Sequence, residues 1–210
     1  MPEPLDRLDV RDAGHSRLPP GQVVTRKWPV LHYGTVPSVD LRTWRFNVTG
    51  AVEQPISMSW DELLGLPRRE TACDIHCVTR WTRYDNAFAG VPVQAVLALA
   101  GVLPTAAFVL VRAEQDYTTN LSFSDLDRPA NLLALSHDGE ALAPEHGGPV
   151  RLLVPHLYFW KSAKWVTGFE LLEQDLPGFW EQSGYHMRGD PWREERFGRP
   201  DPVRMRRGPR

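Results

Sequence analysis

The chain has 210 residues and a formal net charge of −2, with 42% hydrophobic and 24% charged residues. This composition suits one folded domain with a core, and the near-neutral charge gives no reason to expect nucleic acid or an anionic membrane as the main partner. No run of about 18 apolar residues occurs, which excludes a membrane-spanning helix.

The sequence predicts one domain over residues 21–187, between a polar, proline-rich arm at 1–20 and a basic tail at 188–210. The first residues lack a basic region followed by an apolar stretch, so no export signal is expected. The chain has two cysteines, too few for a disulfide scaffold, and a reducing compartment is the simplest interpretation. We therefore expect a cytoplasmic protein.

Short strands and two helices are predicted in the first half of the domain. Residues 44–50 alternate between apolar and polar types and end at a glycine, which is typical of a strand. Ser59 and Glu62 have capping-box spacing and predict a short helix that starts there. Residues 71–78 should be extended because they are rich in strand-forming types. Residues 91–103 carry apolar side chains at helical spacing.

The second half of the domain is predicted to consist mainly of strands. Residues 108–111 form an apolar run of the buried-strand type, and residues 132–142 hold two short apolar stretches around an Asp-Gly pair, a strong hairpin signal. Residues 150–154 and 165–172 complete this half. The expected class is α+β, mixed, with mostly short strands and few helices. The strand order does not follow from these patterns.

Cys73, His76 and Cys77 are the first residues that could carry chemistry. The Cys-x3-Cys spacing leaves a structural zinc site short of two ligands, which scattered histidines would have to supply. Each cysteine is also consistent with a small buried apolar side chain. On an extended segment, both cysteines would point to the same face, so periodicity does not separate a ligand from a core residue.

A second group runs from His146 through two glycines to Arg151 and continues with two lysines and a serine at 161–164. The glycines leave the backbone unhindered, an arginine can bind a phosphate through two hydrogen bonds, and the lysines add positive charge. This pattern predicts an anion site, and the alternative is a turn followed by a solvated basic loop. No Walker loop and no Gly-x-Gly-x-x-Gly motif is present.

Together these segments resemble the molybdopterin-binding domain of the sulfite oxidase family. The residues that carry the likeness are His76-Cys77-Val78-Thr79-Arg80-Trp81, Gly90-Val91-Pro92, and Gly147-Gly148-Pro149-Val150-Arg151 with Lys161-Ser162-Ala163-Lys164. It covers roughly residues 25–187, and bacterial members related to the catalytic subunit of periplasmic methionine-sulfoxide reductase are the most similar branch. The resemblance implies a strand-rich, single-domain fold that binds molybdopterin and molybdenum.

The activity that the resemblance implies is oxygen-atom transfer to or from a small sulfite-like, sulfoxide or N-oxide substrate. A separate flavin or haem protein would exchange electrons with this domain, because the chain has no second redox motif. Cys77 would be the thiolate ligand of molybdenum, and Tyr185 would lie beside the transferable oxygen, unless it only caps the core beside Trp180. The implied cofactor contacts are Leu31, His32, Tyr33, Cys77, Arg112, His146, Arg151, Ser162, Ala163 and Lys164.

The run after Cys77 departs from the family pattern, because sulfite oxidases have Ala-Gly-Asn-Arg there. Arg80 is the implied catalytic residue that would bind an oxyanion substrate, but it stands one position away from the family's arginine. Arg83 and Arg112 are the candidate substitutes. The departure leaves open a non-catalytic module that keeps the fold and binds another anionic ligand or a partner protein. A structural zinc protein is the third alternative.

Overall fold

The computed structural model describes residues 5–11, 14 and 16–198. The strands in this part of the chain are β1 Asp6–Asp9, β2 Val23–Val24, β3 Arg45–Gly50, β4 Ile56–Ser59, β5 Arg69–His76, β6 Trp81–Pro92, β7 Phe108–Ala113, β8 Thr118–Ser122, β9 Leu132–His137, β10 Glu140–Ala141, β11 Arg151–Leu153 and β12 Val166–Leu172. The helices are α1 Trp60–Leu64, α2 Val93–Ala100, α3 Phe123–Leu126 and α4 Phe179–Gln182. None of these helices is long and apolar enough to cross a membrane.

The strands form two sheets. The larger has the order β1-β5-β6-β9-β10, with β2 also paired to β6 and β11 to β9, and the smaller has the order β4-β3-β12-β7-β8. Pairing is antiparallel except for β1 with β5, β2 with β6 and β3 with β12. The main core lies between the sheets and α2, and it buries Phe46, Val93, Leu133 and Phe169. The predicted α+β class with short strands is confirmed.

Local sequence signals correctly located several elements. At α1, the Glu62 amide donates to Ser59 Oγ (3.3 Å) and the Ser59 amide donates to Glu62 Oε2 (2.7 Å), which is the predicted capping box. The predicted hairpin joins β9 to β10 through Asp138 and Gly139, whose φ angles of 50° and 85° are both positive. Positive φ at both turn residues is what Asp-Gly favours in a tight hairpin.

Segments on the far side of the boundaries predicted at residues 20 and 187 also take part in the packed structure. Within the predicted arm, β1 pairs in parallel with β5 at the edge of the larger sheet, where a polar strand can remain exposed. Residues 184–198, which span the predicted boundary between the domain and the tail, fold back as a segment that we call the strap, with Tyr185 bridged to Phe197 and the Gly198 amide donating to Gly184 O (3.0 Å). The basic residues Arg204, Arg206, Arg207 and Arg210 lie outside the described residues.

Candidate functional site

A cavity of about 330 Å³ opens between the β5–β6 turn, the early loop that contains Leu31, and the segment between β11 and β12. The predicted site residues that line it are Leu31, His32, Tyr33, Cys77, Arg151, Ser162, Ala163, Lys164 and Tyr185. Segments far apart in the chain therefore converge here. Folding brings most of the residues implied by the resemblance to one place.

Cys77 lies in the tight turn that joins β5 to β6. Its amide donates to Trp81 O (2.8 Å), the Arg80 amide donates to Cys77 O (3.0 Å), and its Sγ lies 3.1 Å from Thr79 Oγ1. Burial raises the pKa of the Cys77 thiol, and the hydrogen bonds with Thr79 oppose that rise. The thiol therefore faces the cavity from a backbone whose own hydrogen bonds hold it in place.

Cys73 has a different environment from Cys77. It is fully buried on β5, packs with Ile75 and Phe88, and lines a separate cleft, and burial raises the pKa of its thiol strongly. The expectation that the two cysteines share a face is wrong, because β5 ends at His76 and Cys77 already belongs to the turn. Strand alternation does not extend through a turn. The structure thus separates a core cysteine from a cavity cysteine.

Arg151, on β11, is a buried cation without a carboxylate partner among the described residues. Its side chain donates from Nη1 to His146 O (2.7 Å) and from Nη2 to Ser162 O (2.8 Å), while the buried Nε has no partner there. Burial lowers the pKa of Arg151 to about 9. An uncompensated buried charge is costly, and a bound anion would offset that cost. The site is therefore suited to an anionic ligand.

Lys164 adds a second cation to the same wall. Its Nζ donates to Glu145 O (2.5 Å), and burial together with repulsion from Arg151 lowers its pKa to about 7. Gly147 has a φ of 105°, and a Cβ there would lie 3.0 Å from Lys164 Cβ and 3.1 Å from Arg151 Cβ. Only glycine combines this conformation with such a close approach. The glycine turn thus brings its backbone against both cations.

Ser162 supports the same wall through its backbone and its hydroxyl. Its carbonyl accepts the hydrogen bond from Arg151, and its Oγ accepts from the Val154 amide (2.9 Å). The hydroxyl therefore braces the segment after β11.

Lys161 does not join the anion site that the sequence predicted for both lysines. It is fully buried outside the cavity wall and donates to Glu181 Oε1 (2.6 Å), Asn120 O (2.8 Å) and Met187 O (2.7 Å). It therefore ties α4 and the strap to β8. The prediction of a solvated loop is wrong for this residue, since its charge is compensated inside the protein.

An aromatic wall lies beside Cys77. Tyr185 stacks on Trp180 with ring centroids 5.1 Å apart and meets Trp160 edge to face at 5.2 Å. Burial raises the pKa of the Tyr185 phenol, and a charged Cys77 would raise it further. The two interpretations offered for Tyr185 are thus compatible, because the residue both packs against Trp180 and lines the cavity.

Two arginines near the turn lie outside the cavity lining. Arg80 is exposed at the end of the turn with a φ of 75°. Arg83 donates to Asp138 Oδ2 (2.8 Å) and forms a close hydrogen bond with Asn86 Oδ1. Neither placement supports the predicted contact with an oxyanion in this cavity.

The structure places two of the predicted cofactor contacts outside the cavity lining. Arg112 is exposed on β7 and pairs with Glu170 on β12 (2.5 Å), because strand alternation turns its side chain away from the core. His146 stacks on Trp28 with ring centroids 3.9 Å apart, and its carbonyl accepts from Arg151. Its ring is not part of the cavity lining. His146 therefore contacts Arg151 through its backbone carbonyl, on the side away from the cavity.

Several lining residues carried no sequence signal. They include aromatic residues and one polar one: Trp28, Tyr117, Phe159, Trp165 and Gln115. Large aromatic side chains are more often core residues, so their types alone do not indicate a cavity. Within residues 5–11, 14 and 16–198, no group of three or more His, Cys, Asp or Glu side chains is placed to hold a metal ion. The described structure thus gives the zinc alternative no ligand set.

Comparisons with known proteins agree with this geometry. The family model for the oxidoreductase molybdopterin binding domain matches residues 33–180. An uncharacterized oxidoreductase, YuiH of Bacillus subtilis, is 48% identical over 182 residues, which cover 86% of this chain and 92% of that protein.

Two further relatives are longer proteins. A putative protein-methionine-sulfoxide reductase subunit, YedZ1 of Azospira oryzae, is 30% identical over 81% of this chain and 66% of its own length. The catalytic subunit MsrP of protein-methionine-sulfoxide reductase from Campylobacter jejuni is 26% identical over 67% of this chain and 52% of its own length.

The crystal structure of sulfane dehydrogenase SoxCD from Paracoccus pantotrophus shares the fold, with a TM-score of 0.64 at 23% identity over 73% of this chain and 43% of that chain.

Proposed function

Because this chain belongs to the oxidoreductase molybdopterin-binding domain family and is a molybdopterin-dependent oxidoreductase, we propose that it transfers an oxygen atom to or from a small substrate. The substrate class is sulfite-like, sulfoxide or N-oxide, and Cys77 is the protein ligand of molybdenum. The relatives named as methionine-sulfoxide reductases support the sulfoxide member of this class.

The observation that carries the proposal is the uncompensated positive charge in the cavity wall. Arg151 is 1% exposed, has no carboxylate partner in the described chain and keeps Nε unpaired, while Lys164 adds a second charge beside it. A phosphate-bearing cofactor would supply the missing anion. The residues present therefore fit molybdopterin.

Each residue has a definable task in this proposal. Arg151 and Lys164 bind the phosphate end of the cofactor. When bound, the cofactor supplies the two-electron redox chemistry of molybdenum that moves the oxygen atom. Cys77 would hold molybdenum as the thiolate, which is the ligand form of cysteine.

The aromatic wall would act on the substrate. Trp160, Trp180 and Tyr185 exclude water from the space beside Cys77, and the Tyr185 hydroxyl is a hydrogen-bond donor there. We further propose that a separate flavin or haem protein exchanges the electrons. The cytoplasmic location stays a prediction.

Substitution of the two cysteines tests the metal assignment. Cys77→Ser should abolish activity and lower molybdenum far below one atom per chain, because the soft ligand is lost. Cys73→Ser is the matched control and should retain the metal, since Cys73 faces the core. Elemental analysis, with sulfite oxidation and sulfoxide reduction assays, measures both effects. Equal molybdenum in wild type and Cys77→Ser would refute the assignment, and a metal-free wild type without activity would favour the non-catalytic module.

A further inference from the structure

The strap brings a buried arginine to the turn that carries Cys77. Arg196 is 6% exposed, and its guanidinium lies 4.9 Å from the centre of the Tyr158 ring. Its Nη1 donates to Val78 O (2.7 Å), and its Nη2 reaches Pro20 O at a longer 3.4 Å. The short hydrogen bond therefore ends on the residue directly after Cys77.

The same turn is held from the opposite end of the chain. Gln22 is buried, and its Nε2 donates to Cys77 O at 3.0 Å. Gln22 and Arg196 both lie outside residues 33–180, the part matched by the family model. Two successive carbonyls of the turn thus accept hydrogen bonds from side chains of the flanking segments.

Arg196 makes a shorter contact with this turn than with any carboxylate among the described residues. Its contact with Glu194 measures 3.8 Å, and its buried Nε has no partner among the described residues. A hydrogen bond from a charged donor to a carbonyl is stronger than one from a neutral donor. The strap also carries Tyr185 into the cavity, and Tyr185 is bridged to Phe197, the neighbour of Arg196.

We propose that Arg196 is a positioning residue that holds the Val78 carbonyl and thereby sets the direction in which Cys77 presents its sulfur to the cavity. This inference rests on the proposed function only in treating Cys77 as the metal ligand. The contact itself belongs to the protein and can be tested on the full chain purified without cofactor.

Hydrogen exchange of the turn is the primary test. In Arg196→Met, amides in the peptide 76–82 should exchange about tenfold faster or more, because the turn loses a charge-assisted hydrogen bond. Peptides from β7 and β12 should keep their wild-type rates. Arg196→Gln also lacks the guanidinium and gives the same test if the methionine variant does not fold. Arg193→Met is the matched control, since Arg193 lies on the same strap with an exposed side chain.

Faster exchange in peptide 76–82, with Arg193→Met unchanged, would support the proposal. Faster exchange confined to the strap would overturn it, because Arg196 would then stabilise only its own segment. In the loaded enzyme, Arg196→Met should alter the molybdenum(V) EPR spectrum while molybdenum content stays near that of wild type. An unchanged spectrum would also count against positioning. If wild type binds no molybdenum, the proposed function fails, but the exchange experiment still decides the role of Arg196.

Discussion

Arg151 and Lys161 are both buried cations, ten positions apart in one motif, yet they have opposite surroundings. Lys161 contacts the carboxylate of Glu181 at 2.6 Å and two backbone carbonyls. Arg151 donates only to carbonyls and keeps Nε unpaired within the described structure. Removing a cation from water is costly, so a compensated cation stabilises the protein and an uncompensated one is suited to a ligand. This difference in charge compensation assigns Lys161 to the stability of the fold and Arg151 to ligand binding.

The largest expected effect comes from breaking the compensated pair. Glu181→Gln leaves Lys161 as an unpaired buried charge and should lower the free energy of unfolding by about 3–5 kcal/mol. Chemical denaturation of the chain without cofactor measures this change. Glu170→Gln is the control, because Glu170 pairs with the exposed Arg112, and its effect should be about 0–1 kcal/mol. Equal effects would show that the Lys161 pair is not the structural element described above.

Removal of the Arg151 charge should affect cofactor binding strongly and the free energy of unfolding only weakly. Arg151→Met should change the unfolding free energy of the cofactor-free chain less than Glu181→Gln does, because it removes a charge that lacks a carboxylate partner. Cofactor occupancy should fall about tenfold or more, since a charged contact to the phosphate is lost. Pterin fluorescence after denaturation, scaled to chain concentration, measures occupancy. Unchanged fluorescence would show that Arg151 does not bind the cofactor.

A further expected effect is a pH dependence that Lys164 should impose on the cofactor-free chain. Its pKa is lowered from 10.5 to about 7 in the folded state, first by burial and then by Arg151. Between these two values the unfolded chain binds more protons at this site, so its contribution makes stability rise with pH from about 7 to about 10. Lys164→Met should remove that part of the slope. Denaturation series for wild type and variant test it, and identical slopes would contradict the lowered pKa.

Local signals in the sequence predicted several elements because short-range contacts build them. The capping box of Ser59 and Glu62 closes within one helical turn, and the Asp138-Gly139 hairpin depends on two residues that tolerate positive φ. The long strand β6 carried no comparable signal. It pairs with β2, β5 and β9, so its conformation depends on partners distant in the chain.

The strand geometry around each residue also explains which predicted site residues lie away from the cavity. Arg112 turns away from the cavity because of its position on β7, and Cys77 leaves the face of Cys73 because the strand ends at His76. The polar β1 and the strap belong to the packed structure, although their composition indicated an arm and a tail. Composition does not show which edge or turn a segment contacts.

The sequence by itself determined the chemistry available here: a thiol at Cys77, cations at Arg151 and Lys164, and a glycine turn before them. Only the tertiary structure decided which charges are compensated. Glu181 lies 20 positions from Lys161 and Asn120 lies 41 positions away, and both partners arrive only when α4 and β8 pack together. Charge compensation acts through distance in space, and spacing along the chain does not encode it.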